Sequence, residues 1–269
     1  MGKSMKKKNT ALASGLIISS VLAAAMIIGI FYTPYDPDRM NGAEKFMAPC
    51  LQHLMGTDNF GRDIFSRVLE GLKTTFFVAV CVTATGSFFG VLLGAVTGYF
   101  GGILDEILMR MNDALAAFPS ILLALVFISI LGSGKYNIIL ALGIIFIPSF
   151  ARIVRGEFIR QKELDYVKSA RLQGAGAFRI MFVHILPNIL PALLSAVTVG
   201  FNNAVLAEAG MSYLGIGVQP PDASLGYMLS EAQGYLFSAP WYALCPGIVI
   251  ILLILGFSLI NEGMGGQHA

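Results

Sequence analysis

Charge is scarce in this chain: only 13% of its 269 residues are Asp, Glu, Lys or Arg, roughly half the ~25% of a soluble domain. With 56% hydrophobic residues and a mean hydropathy of +0.74, that scarcity excludes an ordinary soluble fold and predicts a polytopic membrane protein. Cysteine is equally sparse. Cys50, Cys81 and Cys245 form neither a paired framework nor a CxxC metal site. Histidine is limited to His53, His184 and His268, without HExxH spacing, and no GxSxG elbow occurs, so neither zinc-dependent nor serine-dependent hydrolysis is expected. Gly132-Ser133-Gly134-Lys135-Tyr136 comes nearest to a phosphate loop. Ser129, however, stands where that motif needs its first glycine, and Tyr136 where it needs Ser or Thr. The chain is therefore expected to hydrolyse no nucleotide itself, to hold no metal or cofactor and to have no catalytic residues. A net charge of +2 offers no footprint for nucleic acid.

What the chain has is long apolar stretches. Six charge-free intervals, 11–31, 74–104, 114–134, 136–151, 185–207 and 232–261, read as membrane spans, each needing about 20 residues for a ~30 Å core. The fourth is the shortest. The expected fold is all-α with six transmembrane helices in a lipid membrane. Lys3, Lys6, Lys7 and Lys8 place the N-terminus in the cytosol, and six spans return the C-terminus to the same side. Ala23-Ala24-Ala25 would suit signal-peptide cleavage, but the apolar run continues to Phe31, which favours an uncleaved anchor. The expected organisation is a cytosolic N-terminus and first helix at 1–34, an extracytoplasmic segment at 35–73, a five-helix core at 74–263 containing a cytosolic loop at 152–187, and a tail at 264–269.

In that loop, Arg152, Arg155, Arg160, Lys162, Lys168, Arg171 and Arg179 are too charged for hydrocarbon, at roughly 2.5 to 3.5 kcal/mol each at a span centre, and basic enough to face the cytosol. A helix around 167–173, a stop at Gly174, a second helix and Pro187 are expected within it. In the second span, Gly86, Gly90, Gly94, Gly98 and Gly102 recur every four residues. They share one helix face, which predicts a close helix contact within this chain or with another. From Glu208 to Pro240, turn formers such as Gly215, Gly217, Pro220 and Pro221 predict a broken outer element, tolerated at membrane depth only against protein or a water-filled cavity. Asn202, Asn203, Glu208 and Met211 are the candidate pathway or outer-gate residues. Thr57 or Asp58 is expected to cap a short helix, and Asp113 to pair with Arg110. Acids at the ends of spans leave a proton-coupled carrier or channel acting alone as the alternative reading.

The loop also carries a resemblance. Lys168-Ser169-Ala170, Gly174 and His184-Ile185-Leu186-Pro187 keep the spacing Glu-Ala-Ala, three residues, Gly, nine residues, Ile-x-Leu-Pro of the coupling segment in importer permeases of the ATP-binding cassette superfamily. Tyr35-Asp36-Pro37, Gly56-Thr57-Asp58, Gly61-Arg62-Asp63, Ser66-Arg67, Phe118-Pro119, Asn188, and Glu208-Ala209 with Ser212 to Gly217 extend it in order. From about Tyr32 to Gly263 the chain resembles the second permease of the peptide and nickel importer group. Its ending, Asn261-Glu262-Gly263-Met264-Gly265-Gly266, departs from the group's pattern. The resemblance implies a type I importer permease fold with a coupling helix between spans four and five. It implies a heterodimer with another permease, two ATPases that use ATP and Mg, an extracytoplasmic solute-binding protein and a place in the cell membrane. It assigns ATPase coupling to Asp165, Val167, Lys168, Ser169, Ala170, Arg171, Leu172 and Gly174, with Asp165 supplying the acid that the triplet lacks. The implied cargo is a peptide or nickel, free or chelated.

Overall fold

The structure is a computed structural model that describes residues 2–265, with side chains from 9 to 264. The side chains of Lys3, Lys6, Lys7 and Lys8, and the tail at 266–269, lie outside the described residues. Every regular element among the described residues is a helix; apart from 3₁₀ turns at Gly42–Glu44 and Gln233–Tyr235, the order is α1 (Gly2–Phe31), α2 (Ile64–Phe100), α3 (Gly102–Ala116), α4 (Ser120–Leu131), α5 (Lys135–Gln161) and α6 (Asp165–Leu172). After it come α7 (Ala177–Arg179), a π-helical stretch Ile180–Ile185, α8 (Leu186–Asn188), α9 (Leu190–Tyr213), α10 (Leu225–Ala232) and α11 (Pro240–Gly265). Helices α1, α2, α5, α9 and α11 are long and apolar enough to cross a membrane.

The third expected span is not one straight helix. It is a pair, α3 and α4, bent by 89°. Pro119 stands at the break, and the residue before a proline is driven out of helical geometry. With 12 residues, α4 reaches only about 18 Å, short of a bilayer core. Charged α3 instead lies along α5: Asp105 accepts two bonds from Arg155, at 2.6 and 2.7 Å, and Asp113 one from Arg152 at 2.9 Å. The expected Arg110–Asp113 pair is therefore replaced, and Arg110 bonds Glu106 at 2.9 Å. The short fourth interval belongs to the 27-residue α5, which runs on through Arg152, Arg155 and Arg160 to Gln161. Gly156 alone weakens that extension, at about 1 kcal/mol.

At the other end α2 begins early. Asp63, not Thr57 or Asp58, caps it, accepting from the Ser66 N–H at 2.8 Å. The resulting helix has 37 residues, about 55 Å, and the expected boundary at 73 falls inside it. Gly86, Gly90, Gly94 and Gly98 line its contact with α5. A Cβ added at Gly86, Gly94 or Gly98 would lie 2.7, 2.8 or 2.7 Å from the Cβ of Phe146, Val154 or Phe158, and one at Gly90 would strike Phe150. The fifth glycine of the series, Gly102, has no such neighbour. It adopts φ 63° in the turn from α2 to α3. A second close pair joins α1 to α11, where Gly15 meets the Gly256 and Ile260 backbone and Gly263 meets Leu12.

These pairs place α6 and both described termini at one end of the bundle, and the 32–63 segment with α10 at the other. The two ends are called the α6 end and the cap end below. Each has its own apolar core.

Candidate docking helix and pathway wall

At the α6 end, three residues (162–164) separate α5 from α6. Helix α6 buries Val167 completely, in a cluster with Ala95 of α2, Val154 and Phe158 of α5 and the π-helical stretch, and buries Ala170 nearly so. Burying those two faces inward leaves Asp165, Lys168, Ser169, Arg171 and Leu172 exposed. Of the expected coupling residues, then, Val167 and Ala170 are buried within this chain. Asp165 is fully exposed, 3.5 Å from Lys168. Arg171 lies over the Tyr99 ring, 6.0 Å from its centroid. The helix ends where Gly174 takes φ 82°, a conformation that costs glycine little.

A cavity of about 700 Å³ opens between α4, α5 and α9. Its wall is apolar apart from Ser120, Ser149, Ser195 and Asn203, and it carries no ionisable residue. Phe150 of α5 positions the two longer helices, because it fits against Gly90 of α2 and Gly200 of α9. Of the four candidate pathway residues, the structure brings Asn203 and Met211 to the cavity. Asn202 turns to α11 and bonds Ser258 at 2.9 Å. Glu208 is fully buried and accepts from the Ser212 hydroxyl at 2.7 Å. Helical geometry explains the split: Ser195, Val199, Asn203, Ala207 and Met211 recur every four residues on one face, and 202 and 208 lie off it. That spacing was readable, but nothing local identified the face. Toward the α6 end, a groove of about 570 Å³ shares Ala192 and Ser195 with the cavity and ends among Glu157, Arg160, Asn188 and Met264.

The cap end holds a polar cluster that sequence reasoning missed. Asp58 accepts from Arg62 Nε at 2.6 Å and Arg67 Nη1 at 2.9 Å, and both arginines reach Glu231 of α10 at 2.8 Å. Its other oxygen accepts the backbone N–H groups of Phe60 and Arg62. Burial works against the Arg62 charge, but Glu231 and Asp58 outweigh it and hold its pKa above the ordinary value. Beside them, His53 Nδ1 lies 2.9 Å from Asp63. The broken outer element proves to be the loop after Tyr213 followed by α10, with Gly226 pressed on the Ala209 backbone.

Comparison with known proteins agrees with this architecture. Residues 90–264 match the family described as "Binding-protein-dependent transport system inner membrane component". Over 264 residues the chain is 38% identical to the dipeptide transport system permease protein DppC of Haemophilus influenzae, covering 96% of this chain and 90% of that one. It is 36% identical over 259 residues to the glutathione transport system permease protein GsiD of Pectobacterium atrosepticum, covering 96% and 86%. Among solved structures, an inward-facing MetNI methionine ABC transporter chain superposes with a TM-score of 0.60 at 19% identity, over 72% of this chain and 93% of that one, a likeness of fold alone. The chain belongs to the family of binding-protein-dependent transport system inner membrane components, and it is a permease subunit of such an importer, leaving ATP hydrolysis to a separate subunit.

Proposed function

We propose that this chain forms half of the pathway of a peptide importer, pairing with a second, different permease. Two ATPases would dock on α6 and use ATP and Mg, and an extracytoplasmic solute-binding protein would deliver the cargo. The observation that carries the reading is that α6 sits between α5 and α9 in the chain, the two long helices that wall the cavity, so force applied to α6 reaches both. The wall supports a peptide cargo: hydroxyls and one amide can pair with backbone amides of any sequence while holding no charge in place. The relatives' dipeptide and glutathione names point the same way. The exposed Asp165, Lys168 and Leu172 face the ATPase, Gly174 makes the turn behind them, and the α6 end with both termini lies in the cytosol.

The test is reconstitution of the chain with its partner permease, ATPases and binding protein in vesicles. Uptake of a short peptide that needs both ATP and the binding protein is the expected result. Uptake without nucleotide would establish the stand-alone carrier instead, and a binding protein that arrives loaded with a nickel chelate would reassign the cargo. In intact cells, and in a background lacking Cys50, Cys81 and Cys245, a Lys168→Cys thiol should resist an impermeant reagent that labels Asn59→Cys; the reverse pattern would put α6 out of reach of any cytosolic ATPase.

A further inference from the structure

Polar side chains are few on the cavity wall, and two of them share a depth. Helix α5 runs from the cap end toward α6, and α9 runs back from the α6 end to the loop before α10, so the two are antiparallel. Phe150 fits against Gly200 and sets their register. Ser149 is one residue from Phe150 and Asn203 three from Gly200, both on the cap side of that contact. They therefore lie within about one turn, ~5 Å, of the same depth, near the middle of both helices. On either side the wall is apolar, with Phe146 and Ala207 toward the cap end and Ile153 and Val199 toward the α6 end.

Both side chains are exposed on the cavity wall, and neither has a hydrogen-bond partner among the described residues. In other helices Thr97, Ser129 and Thr198 bond back to carbonyls three or four residues earlier, at 2.8 to 2.9 Å, a common way for a helix to satisfy a hydroxyl. Ser149 and Asn203 keep their donors and acceptors free. A side-chain amide offers both a donor and an acceptor, which match the C=O and N–H of a peptide bond without bringing charge to either side. A peptide bond that passes between apolar walls loses its water, and without such partners that loss is uncompensated.

We propose that Asn203 and Ser149 form a subsite for the main chain of the cargo: the Asn203 side-chain oxygen accepts the peptide N–H, and the Ser149 hydroxyl donates to the peptide carbonyl. The proposal rests on the chain being a peptide permease whose pathway runs through this cavity. Because every peptide carries that bond, the wall selects peptides as a class and is indifferent to their side chains. Asn203 is the specificity residue, since it alone reads the N–H.

The experiment uses the whole reconstituted complex and two cargoes, a neutral dipeptide and its ester isostere, in which oxygen replaces the peptide N–H. The readout is the ratio of their ATP-dependent uptake. Every permease variant receives cargo from the same binding protein, so the binding protein's own preference divides out of the comparison. Asn203→Leu should lower the ratio of dipeptide to ester about threefold to tenfold relative to the wild type, the change expected from one lost hydrogen bond. Asn203→Asp keeps an acceptor oxygen in place and should hold the ratio near the wild-type value. Should Asn203→Leu not assemble, Asn203→Ala removes the same oxygen without adding bulk and is read in the same way. Ser149→Ala should lower the uptake of both cargoes by a similar factor, because both keep the carbonyl. A wild-type ratio in Asn203→Leu or Asn203→Ala overturns the proposal while the peptide-permease reading stands, and undiminished uptake of both cargoes in Ser149→Ala strikes Ser149 from the subsite. If the wild-type complex shows no ATP-dependent dipeptide uptake, the permease reading fails first and takes the proposal with it.

Discussion

At the cap end, Asp58 and Glu231 share Arg62 and Arg67 through contacts of 2.6 to 2.9 Å, with side chains no more than 14% exposed. At the α6 end, the buried cluster that seats α6 consists of Ala, Val, Ile, Phe and Met alone. The difference lies in tolerance of motion. A buried ion network loses heavily when any of its charges parts from its partners, so it holds the 32–63 segment, α2 and α10 in one arrangement even though Arg67 Nε has no partner of its own. Apolar contacts carry no directional requirement, so the α6 end gives up less in passing to a second packed arrangement than the cap does when a buried ion loses its partners. For an importer subunit that must pass movement from one end to its middle, this division leaves the cap rigid and the α6 end adjustable.

The most severe way to break the comparison is to remove the acid that both cap arginines share. Asp58→Ala leaves Arg62 and Arg67 to share Glu231 alone in a buried site and frees two backbone N–H groups. We expect a loss of about 3 to 5 kcal/mol, seen as a collapse of the monodisperse peak and a large drop in the thermal midpoint of detergent-purified protein. If Asp58→Ala unfolds within a degree of the wild type, the cap is not the locked end.

The next test strikes the joint that connects the two ends. Gly94→Leu places a side chain where Val154 and the Ala151 backbone already sit, and overpacking of that kind costs about 1 to 3 kcal/mol. Insertion should be unaffected, because leucine makes the span more apolar. Because the partner is α5 of the same chain, the defect should appear in the isolated subunit, before any complex forms. A subunit of normal stability that fails only on assembly would mean that the glycines face another chain.

These two sites also separate what the sequence disclosed from what it hid. The glycine row was legible because a four-residue period is a property of one helix; its partner, some sixty residues on, was not. The helix, glycine stop and proline of the α6 region were legible for the same local reason. The cap cluster was hidden because its members lie far apart in sequence: Glu231 is 169 positions from Arg62, and in the linear chain the cap charges merely offset one another. Pro119 marked the α3–α4 break, but the apolar run across it outweighed that signal. Asn202 and Asn203 were indistinguishable until α11 and the cavity took different faces of α9.

Sharpening the comparison at the α6 end calls for a change that strains the turn without touching the core. Gly174 has φ 82°, and a Cβ there would meet nothing within 4 Å. Gly174→Val should therefore cost only the left-handed backbone, about 1 to 2 kcal/mol locally, with no clash to propagate. The expected outcome is a complex that assembles and hydrolyses ATP but imports poorly, since α6 is presented at the wrong angle. Normal uptake with normal assembly would show that this end tolerates even a displaced turn, and would remove Gly174 from the coupling segment.

The smallest expected effect is the most discriminating about mechanism. Arg110 and Glu106 form an ion pair at 2.9 Å, as short as the Arg67–Asp58 contact, yet their side chains are 78% and 63% exposed against 3% and 0%. If distance decided the contribution, Arg110→Ala and Asp58→Ala would behave alike. Solvent screening and the entropy of holding two long side chains argue otherwise, and place Arg110→Ala at no more than about 0.5 kcal/mol. Its thermal midpoint should match the wild type within error, and should stay matched when salt is raised, because little remains to screen. A drop approaching that of Asp58→Ala would mean that α3 is held as tightly as the cap. The adjustable end would then have to be narrowed to α6 and the turn that follows it.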